Sequence, residues 1–207
     1  MVSIAQIHRR MILATAAIPL GLPLVQRQTT TPPESTFPPQ AGTTPSTTTA
    51  FHTVTPENAE SSWFLGHAAR IYGDSERTGG AFDLVDFDLP PGFATPLHVH
   101  HTADEVFWVL EGTVRGLCAG KEWRASPGDM VWLPRGLPHG FATVGDTPGR
   151  HLTMTMPGGF DAFVREAGEP MGDPDGTPPP IPDPSTLAAL AEKHGQTILG
   201  GPLSFED

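Results

Sequence analysis

Cysteine is almost absent from this chain of 207 residues, in which Cys118 is the only one. No intrachain disulfide can therefore form, and a zinc site built from several cysteine thiolates is excluded. A single cysteine within an apolar strand is expected to be a small buried residue rather than a nucleophile.

Basic residues are also scarce, with 12 Lys and Arg against 23 Asp and Glu, a formal net charge of −11. Nucleic acids and anionic membrane surfaces are themselves negative, so neither is an expected partner. The acidity is simply explained by solubility.

Long apolar runs are missing as well. The best one, residues 11–25, is too short and too interrupted by proline for a membrane-spanning helix. It follows Arg9 and Arg10, and this arrangement resembles a twin-arginine export signal. The other interpretation is a plain N-terminal extension on a cytoplasmic protein, with Met11 as a second candidate start.

Proline and glycine are abundant but unevenly placed. Residues 28–50 are mostly Thr, Pro and Ser, a composition that buries little apolar surface and is typical of a disordered linker. We therefore expect an export signal or extension at 1–27, a linker at 28–57, a folded barrel at 58–164, and a tail at 165–207. The tail is expected to contain a Pro-rich loop and one helix that packs on the barrel.

The central region reads as many short strands separated by Pro, Gly and Asp turns. This pattern is typical of an all-β sandwich or barrel. The predicted strands are 81–89, 96–101, 105–110, 113–118, 122–125, 130–133, 140–144 and 151–156.

Helix signals occur only after these strands. Residues 159–167 form one short candidate, and residues 186–194 form a better one. The second has Asp183 as an N-cap, Pro184 at the first helical position and Gly195 just beyond its end. Its apolar stripe, which includes Leu187 and Ala191, predicts packing against the barrel.

Residues 92–112, GFATPLHVHHTADEVFWVLEG, contain three histidines and an acid close together. Side chains alternate between the two faces of a strand, so His98 and His100 share a face while His101 points away. Glu105 begins the next strand and can approach both. Two imidazoles and a carboxylate suit a transition metal, and His101 is expected to be a surface or interface residue rather than a substrate contact.

Residues 128–139, GDMVWLPRGLPH, add His139 after a turn. The fixed glycines, histidines, glutamate and proline of the two stretches match the two motifs of the cupin family, separated by 15 residues. The resemblance implies a double-stranded β-helix (jelly-roll) barrel in which His98, His100, Glu105 and His139 hold one divalent Fe, Mn, Ni, Co, Cu or Zn ion. Thr143 stands where the second motif usually has asparagine, and this departure bears on the local turn.

The residues expected around the metal are mainly apolar. They are Phe107, Val109, Phe141, Met154 and Met156. Because Lys and Arg do not converge on this region, an aromatic or enolic small molecule is expected as the substrate rather than a phosphosugar.

A narrower resemblance, to quercetin 2,3-dioxygenase-like single-domain cupins, rests on the two motif stretches and on WFLG at 63–66, TGGAF at 78–82, PGGF at 157–160 and LAEKHGQTILGGP at 190–202. It implies a dioxygenase that acts on a flavonol-like molecule, with dioxygen as co-substrate and Glu105 as the base for the substrate hydroxyl. A non-oxidative cupin isomerase and a non-catalytic small-ligand-binding cupin remain alternatives.

The strand predicted at 105–110 is apolar on both faces, with Phe107 and Val109 on one and Trp108 on the other. A small barrel needs only its inner face filled. The outer face must therefore be covered by residues near Trp63, by the C-terminal helix, or by a second subunit in a homodimer.

Overall fold

The computed structural model describes residues 51–173 and 175–205. The expected export signal, and the expected linker as far as residue 50, lie outside these ranges. Within them, no helix is both long and apolar enough to cross a membrane.

The described part of the chain consists of short strands and two helices. The strands are β1 Glu60–Phe64, β2 His67–Gly73, β3 Asp83–Leu89, β4 Pro96–His100, β5 Asp104–Glu111, β6 Val114–Cys118, β7 Lys121–Ala125, β8 Met130–Leu133, β9 His139–Thr143, β10 Gly149–Met156, β11 Glu169–Pro170 and β12 Gln196–Pro202. The helices are α1 Phe160–Ala167 and α2 Pro184–Lys193.

The strands form two antiparallel sheets. One has the order β11-β1-β2-β3-β10-β5-β8, and the other has the order β12-β4-β9-β6-β7. Buried side chains of both sheets meet in one core, which includes Phe87, Phe107, Leu133 and Phe141. The predicted all-β jelly-roll barrel is therefore confirmed.

The predicted strands from residue 83 onward are present with boundaries shifted by at most a few residues. Four strands have no counterpart in the sequence prediction: β1, β2, β11 and β12. The first two extend the larger sheet beyond β3, and β12 pairs with β4 at the edge of the smaller sheet.

Strand β10 shows the two-residue alternation most clearly. Its fully buried positions are Gly149, His151, Thr153 and Thr155, and the residues between them are only partly buried. Since successive side chains point to opposite faces, the polar His151 and Thr153 lie inside the barrel.

The two helices begin differently. Helix α2 starts as predicted, with Asp183 accepting hydrogen bonds from the backbone N–H groups of Ser185 and Thr186 at 3.0 and 3.1 Å, and with Pro184 in the first turn. Its buried residues are Leu187 and Ala191, so its apolar stripe faces the core as expected.

Helix α1 has no side-chain cap of its own, because Gly159 precedes it. The carboxylate of Asp83, from β3, accepts hydrogen bonds from the N–H groups of Gly159 and Phe160, both at 2.8 Å, and from the Thr155 hydroxyl at 2.9 Å. A buried acid from a distant strand thus holds the first turn of α1 against the barrel.

Candidate metal centre

Four side chains with ligand atoms converge inside one end of the barrel. They are His98, His100, Glu105 and His139, and their ligand atoms all lie within 4.8 Å of one another. His98 and His100 come from β4, Glu105 comes from β5, and His139 begins β9. The centre therefore bridges the two sheets, and the strand pairing of His98 with His139 sets part of its geometry.

Two of the imidazoles are oriented by backbone carbonyl groups. The Nδ1–H of His98 donates to the Pro96 carbonyl at 2.8 Å, and that of His139 donates to the Leu137 carbonyl at 2.8 Å. A carbonyl oxygen can only accept, so each ring keeps a proton on Nδ1 and turns its Nε2 inward. This arrangement is typical of metal-binding histidines.

The turn before His139 is fixed to the rest of the centre by two contacts. The Gly136 N–H donates to the His100 carbonyl at 2.7 Å, and Gly136 has a φ of +76°, a conformation that favours glycine. The guanidinium of Arg135 pairs with the Asp104 carboxylate at 3.0 and 3.1 Å. The turn is therefore held next to Glu105 as well as His100.

The charges of the four groups are coupled. Burial opposes ionisation of Glu105, but the nearby His100 and the hydrogen bond from His139 Nε2, at 3.0 Å, outweigh it and hold the pKa of Glu105 at about 2. Burial, then the neighbouring His139, lowers the pKa of His98 to about 4, and burial lowers the pKa of His100. Three of the four groups are thus already in the protonation state that a metal requires.

His139 is the exception. Burial alone would lower its pKa, but the hydrogen bond and charge of Glu105 raise that pKa above its usual value. The proton that it holds toward Glu105 is the one that has to leave when a cation binds.

The donor set fits a divalent transition metal. The buried Nε2 of His100 has no hydrogen-bond partner among the described residues and lies 3.5 Å from a Glu105 oxygen. An unpaired buried nitrogen is costly, and a cation bound between the four groups would satisfy it. Imidazole nitrogens and a carboxylate suit several first-row metals, so the set identifies a class of ion rather than one ion.

His101 lies outside this cluster. Its side chain is exposed, and its Nε2 is 2.8 Å from the Thr197 hydroxyl oxygen on β12. The strand alternation that separates it from His98 and His100 is therefore present in the structure, and His101 ties β4 to the neighbouring strand.

A mainly aromatic cavity of about 70 Å³ adjoins the centre. His98 and Glu105 lie in its wall, together with the expected Phe107 and Phe141. The other aromatic residues that line it are Phe64, Phe87, Phe93, Phe160 and Phe163.

Three of the expected pocket residues lie elsewhere. Val109 is buried in the core beyond the cavity. Met154 and Met156 lie on the opposite face of β10 from the cavity, so their placement in the pocket was wrong. Thr153 and His151 line the cavity from β10 instead, because the side chains of this strand that point inward are the polar ones.

Several cavity residues carried no clear signal in the sequence. His67, His151 and Thr153 supply polar atoms to its wall, and Phe160 and Gln196 close one side of it. Alternation along β10 places His151 and Thr153 on the same face. The apolar Leu152 and Met154 on the other face made that other face the expected inner one.

A second cavity, of about 320 Å³, lies on the side of the centre where His100 is found. It shares Phe160 and Gln196 with the aromatic cavity. Phe160 stands 5.9 Å from the His100 ring, centroid to centroid, and so forms part of the partition between the two spaces.

Thr143 replaces the usual asparagine of the second motif without leaving the turn unsupported. Its hydroxyl donates to the Pro90 carbonyl at 3.0 Å, and its N–H donates to the Phe93 carbonyl at 2.9 Å. The end of β9 is therefore attached to residues 90–93, in front of β4.

Comparisons with known proteins agree with this geometry. A model of the Cupin domain matches residues 85–155. The chain is 28% identical over 107 residues to quercetin 2,3-dioxygenase of Bacillus subtilis, which covers 52% of this chain and 32% of that enzyme. It is 32% identical over 76 residues to an uncharacterised protein of Methanocaldococcus jannaschii, covering 36% of this chain and 59% of that protein.

Among solved structures, KdgF from Halomonas sp. is similar with a TM-score of 0.47 and 21% identity, covering 55% of this chain and 99% of that one. The chain thus spans about a third of the length of the dioxygenase that it matches and about three fifths of the archaeal protein. Residues 85–155, which contain all four residues of the cluster, therefore match the Cupin domain.

Proposed function

We propose that this chain is a metal-dependent dioxygenase that acts on a flavonol-like or other enolic or aromatic small molecule. The observation that carries this proposal is the buried cluster of three histidines and one glutamate at the edge of a cavity lined by aromatic rings. A transition metal held by four protein ligands keeps positions for a substrate and a small co-substrate.

The lining of the cavity supports an uncharged, planar substrate. Among the described residues no lysine or arginine lines it, so apart from the ion no group there would neutralise a phosphate or a carboxylate. Aromatic rings on several sides favour stacking and edge-to-face contacts with another ring.

Size limits the substrate further. Cavities that hold drug-sized ligands usually measure roughly 300–1,000 Å³, whereas the aromatic cavity measures about 70 Å³. A single-ring or compact enolic substrate therefore fits with the least change. A three-ring flavonol requires Phe160 to move, so that the aromatic cavity joins the 320 Å³ space beside it.

The roles of the residues follow from their placement. His98, His100 and His139 would hold the ion together with Glu105, and the ion when bound would acidify a substrate hydroxyl and orient the substrate toward dioxygen. The carboxylate of Glu105 is ionised at every physiological pH, so its oxygen can accept a hydrogen bond from that hydroxyl. Glu105 is also the proposed base for the hydroxyl proton. The surrounding aromatic rings offer few polar groups that would hold water in the cavity.

Oxygen consumption tests the proposal. Protein loaded separately with Fe(II), Mn(II), Ni(II), Co(II), Cu(II) or Zn(II) is mixed with quercetin and with single-ring catechols in an oxygen electrode. We expect at least one metal form to consume about one dioxygen per substrate molecule, as ring cleavage by a dioxygenase requires. Substrate conversion without oxygen uptake would identify a non-oxidative enzyme, and binding without conversion would identify a ligand-binding cupin.

A second copy of this chain is proposed to cover the outer face of the larger sheet. Trp108, Met130 and Trp132 are 51%, 54% and 57% exposed there. Trp108 lies directly opposite Met130 in the pairing of β5 with β8, so the patch is continuous. Three ways of covering this face were expected: residues near Trp63, helix α2, or a second subunit. Neither of the first two buries these side chains, so we propose the third.

Replacing Trp132 with lysine is expected to convert the dimer into a single chain of 22.0 kDa, because the charge would be desolvated in an apolar interface. Sedimentation velocity measures the mass, and the exposed His101→Ala change outside the patch is the control. A wild-type protein that sediments as a monomer at tens of micromolar would contradict the proposal.

A further inference from the structure

Two polar side chains lie deep in the aromatic cavity without hydrogen-bond partners. His151 and Thr153 are each about 1% exposed, and both line the cavity from β10. Within residues 51–173 and 175–205, neither His151 Nδ1 nor Thr153 Oγ1 has a hydrogen-bond partner. A second buried histidine, His67, lines the same cavity and has its Nδ1 3.3 Å from the Leu65 carbonyl oxygen.

These unpaired atoms are costly in the free protein. A buried donor or acceptor without a partner lowers the stability of the fold by roughly 1–3 kcal/mol. An apolar side chain of similar shape at the same position would avoid this penalty. Their presence among phenylalanine rings therefore calls for a partner that is supplied from outside the chain.

The strand register places both residues along one line from the metal centre. In the pairing of β10 with β5, Thr155 is opposite Glu105, Thr153 is opposite Phe107, and His151 is opposite Val109. Two residues of a strand span roughly 7 Å, so Thr153 stands one such step from the level of Glu105 and His151 stands two. One step is about the length of a substituted aromatic ring.

The imidazole of His151 is held in place by its neighbours. Its ring centroid is 4.8 Å from that of Phe107, 5.1 Å from that of Phe141 and 5.7 Å from that of Phe87. Packing on three sides restricts the ring in the free protein. A ligand that forms a hydrogen bond to this ring therefore causes little further loss of side-chain entropy.

Both buried histidines are uncharged. Burial lowers the pKa of His151 to about 4 and that of His67 to about 3. A neutral imidazole donates at one nitrogen and accepts at the other, and the threonine hydroxyl also does both. This combination matches a hydroxyl group, whereas a carboxylate or a phosphate beside these two residues would need a lysine or arginine, which the cavity wall lacks.

We propose that His151 and Thr153 form a hydrogen-bonding subsite for a hydroxyl group on an aromatic substrate, at the end of the ring remote from the oxygens that face Glu105. This inference rests on the proposed function and narrows its substrate class to aromatic diols with a further hydroxyl group. Thr153 is the nearer contact for a single ring, and His151 is the contact for a longer one.

Binding of a matched pair of probes tests the subsite without turnover. The probes are 1,2,4-benzenetriol and 4-methylcatechol, which share the vicinal hydroxyls and differ in a hydroxyl or a methyl group at the far end. Dissociation constants are measured without oxygen on protein loaded with Zn(II), which has no redox chemistry. Thr153→Val should weaken the triol about tenfold, the value of one hydrogen bond, and change 4-methylcatechol less than twofold.

Three further variants complete the comparison. Thr153→Ser keeps the hydroxyl and should retain triol affinity. His151→Phe removes the imidazole from an aromatic surrounding and should also reduce the preference for the triol, by a smaller factor for this short probe. Met154→Leu lies on the same strand but faces away from the cavity, so both affinities should stay unchanged.

Thermal unfolding separates a binding role from a structural one. Because Thr153→Val removes an unpaired buried hydroxyl, its Tm should equal that of the wild type or exceed it by roughly 2–4 °C. A fall in Tm with no change in probe preference would show that Thr153 supports the fold instead, and the subsite would be wrong.

The outcomes for the subsite and for the oxygenase differ. Selective loss of triol binding in protein that consumes no oxygen would uphold the subsite and reject the oxygenase. Oxygen uptake with unaltered triol binding in Thr153→Val and His151→Phe would do the reverse. If the wild type binds neither probe, a subsite for aromatic hydroxyls is rejected.

Discussion

Replacing His100 with alanine is expected to reduce the affinity for a divalent transition metal by about 100-fold or more, whereas replacing His101 leaves it unchanged. Loss of a group that merely orients a ligand already costs about 10–100-fold in metal affinity. Loss of a ligand nitrogen in a cluster whose atoms lie within 4.8 Å of one another should cost at least as much. The two histidines are adjacent in sequence, yet His100 is buried in the cluster and His101, just beyond the end of β4, is exposed.

Elemental analysis of protein purified without added metal, followed by competition with a chelator, measures this difference. The wild type and His101→Ala should hold about one ion per chain, and His100→Ala should hold almost none. His101→Ala loses a hydrogen bond to Thr197 on the surface and should fold normally. Equal metal content in the two variants would contradict the assignment of the four ligands.

Replacing Asp83 with alanine is expected to lower the free energy of unfolding by about 3 kcal/mol, since hydrogen bonds to a charged group contribute roughly 1.5–3 kcal/mol each. The carboxylate is fully buried and accepts bonds from Gly159, Phe160 and Thr155. Alanine would leave these donors buried without partners. Because Phe160 separates the two cavities, the variant should also bind ligands more weakly.

Asp83→Asn is the matched control for this prediction. Its amide oxygen can still accept from the first turn of α1, so a loss of only about 1 kcal/mol is expected. Urea unfolding measures both values. If alanine and asparagine were equally harmful, the negative charge rather than the acceptor geometry would be the essential property of Asp83.

The metal cluster could be predicted because it depends on local rules. His98, His100 and Glu105 lie within eight residues, and strand alternation separates them from His101. His139 is 34 residues further along the chain than Glu105, on β9, which pairs with β4. Only its place in the second motif indicated that it belongs to the cluster. The backbone contacts that orient the rings, such as that of Gly136 with His100, depend on the folded turn and carry no pattern in the sequence.

The cavity was predicted less well, for a physical reason. An apolar face normally packs inward, and on β10 this rule favoured Met154 and Met156 over Thr153 and Thr155. Here the inner face is polar because Thr155 bonds with Asp83 and Thr153 faces the cavity, while the outer face is apolar and adjoins the exposed Trp108 patch. When one face of a strand lines a cavity and the other adjoins an exposed apolar patch, hydrophobicity alone does not identify the inner face.

The strands that escaped prediction depend on long-range pairing. β2 is buried at most positions and so lacks a clear alternation, and β12 contains two glycines and ends in proline. The latter is a strand because its N-terminal half pairs with His98–His100 of β4. Its sequence alone is also compatible with a loop.

The cavity wall extends well beyond the residues that define the family. All four candidate metal ligands lie within 85–155, but His67 comes from β2, Phe160 and Phe163 from α1, and Gln196 from β12. The segment that matches the Cupin domain therefore supplies the candidate cation site, whereas the flanking segments supply much of the cavity wall. Two cupins with the same ligands but different flanks would share their metal chemistry and differ in what they admit to it.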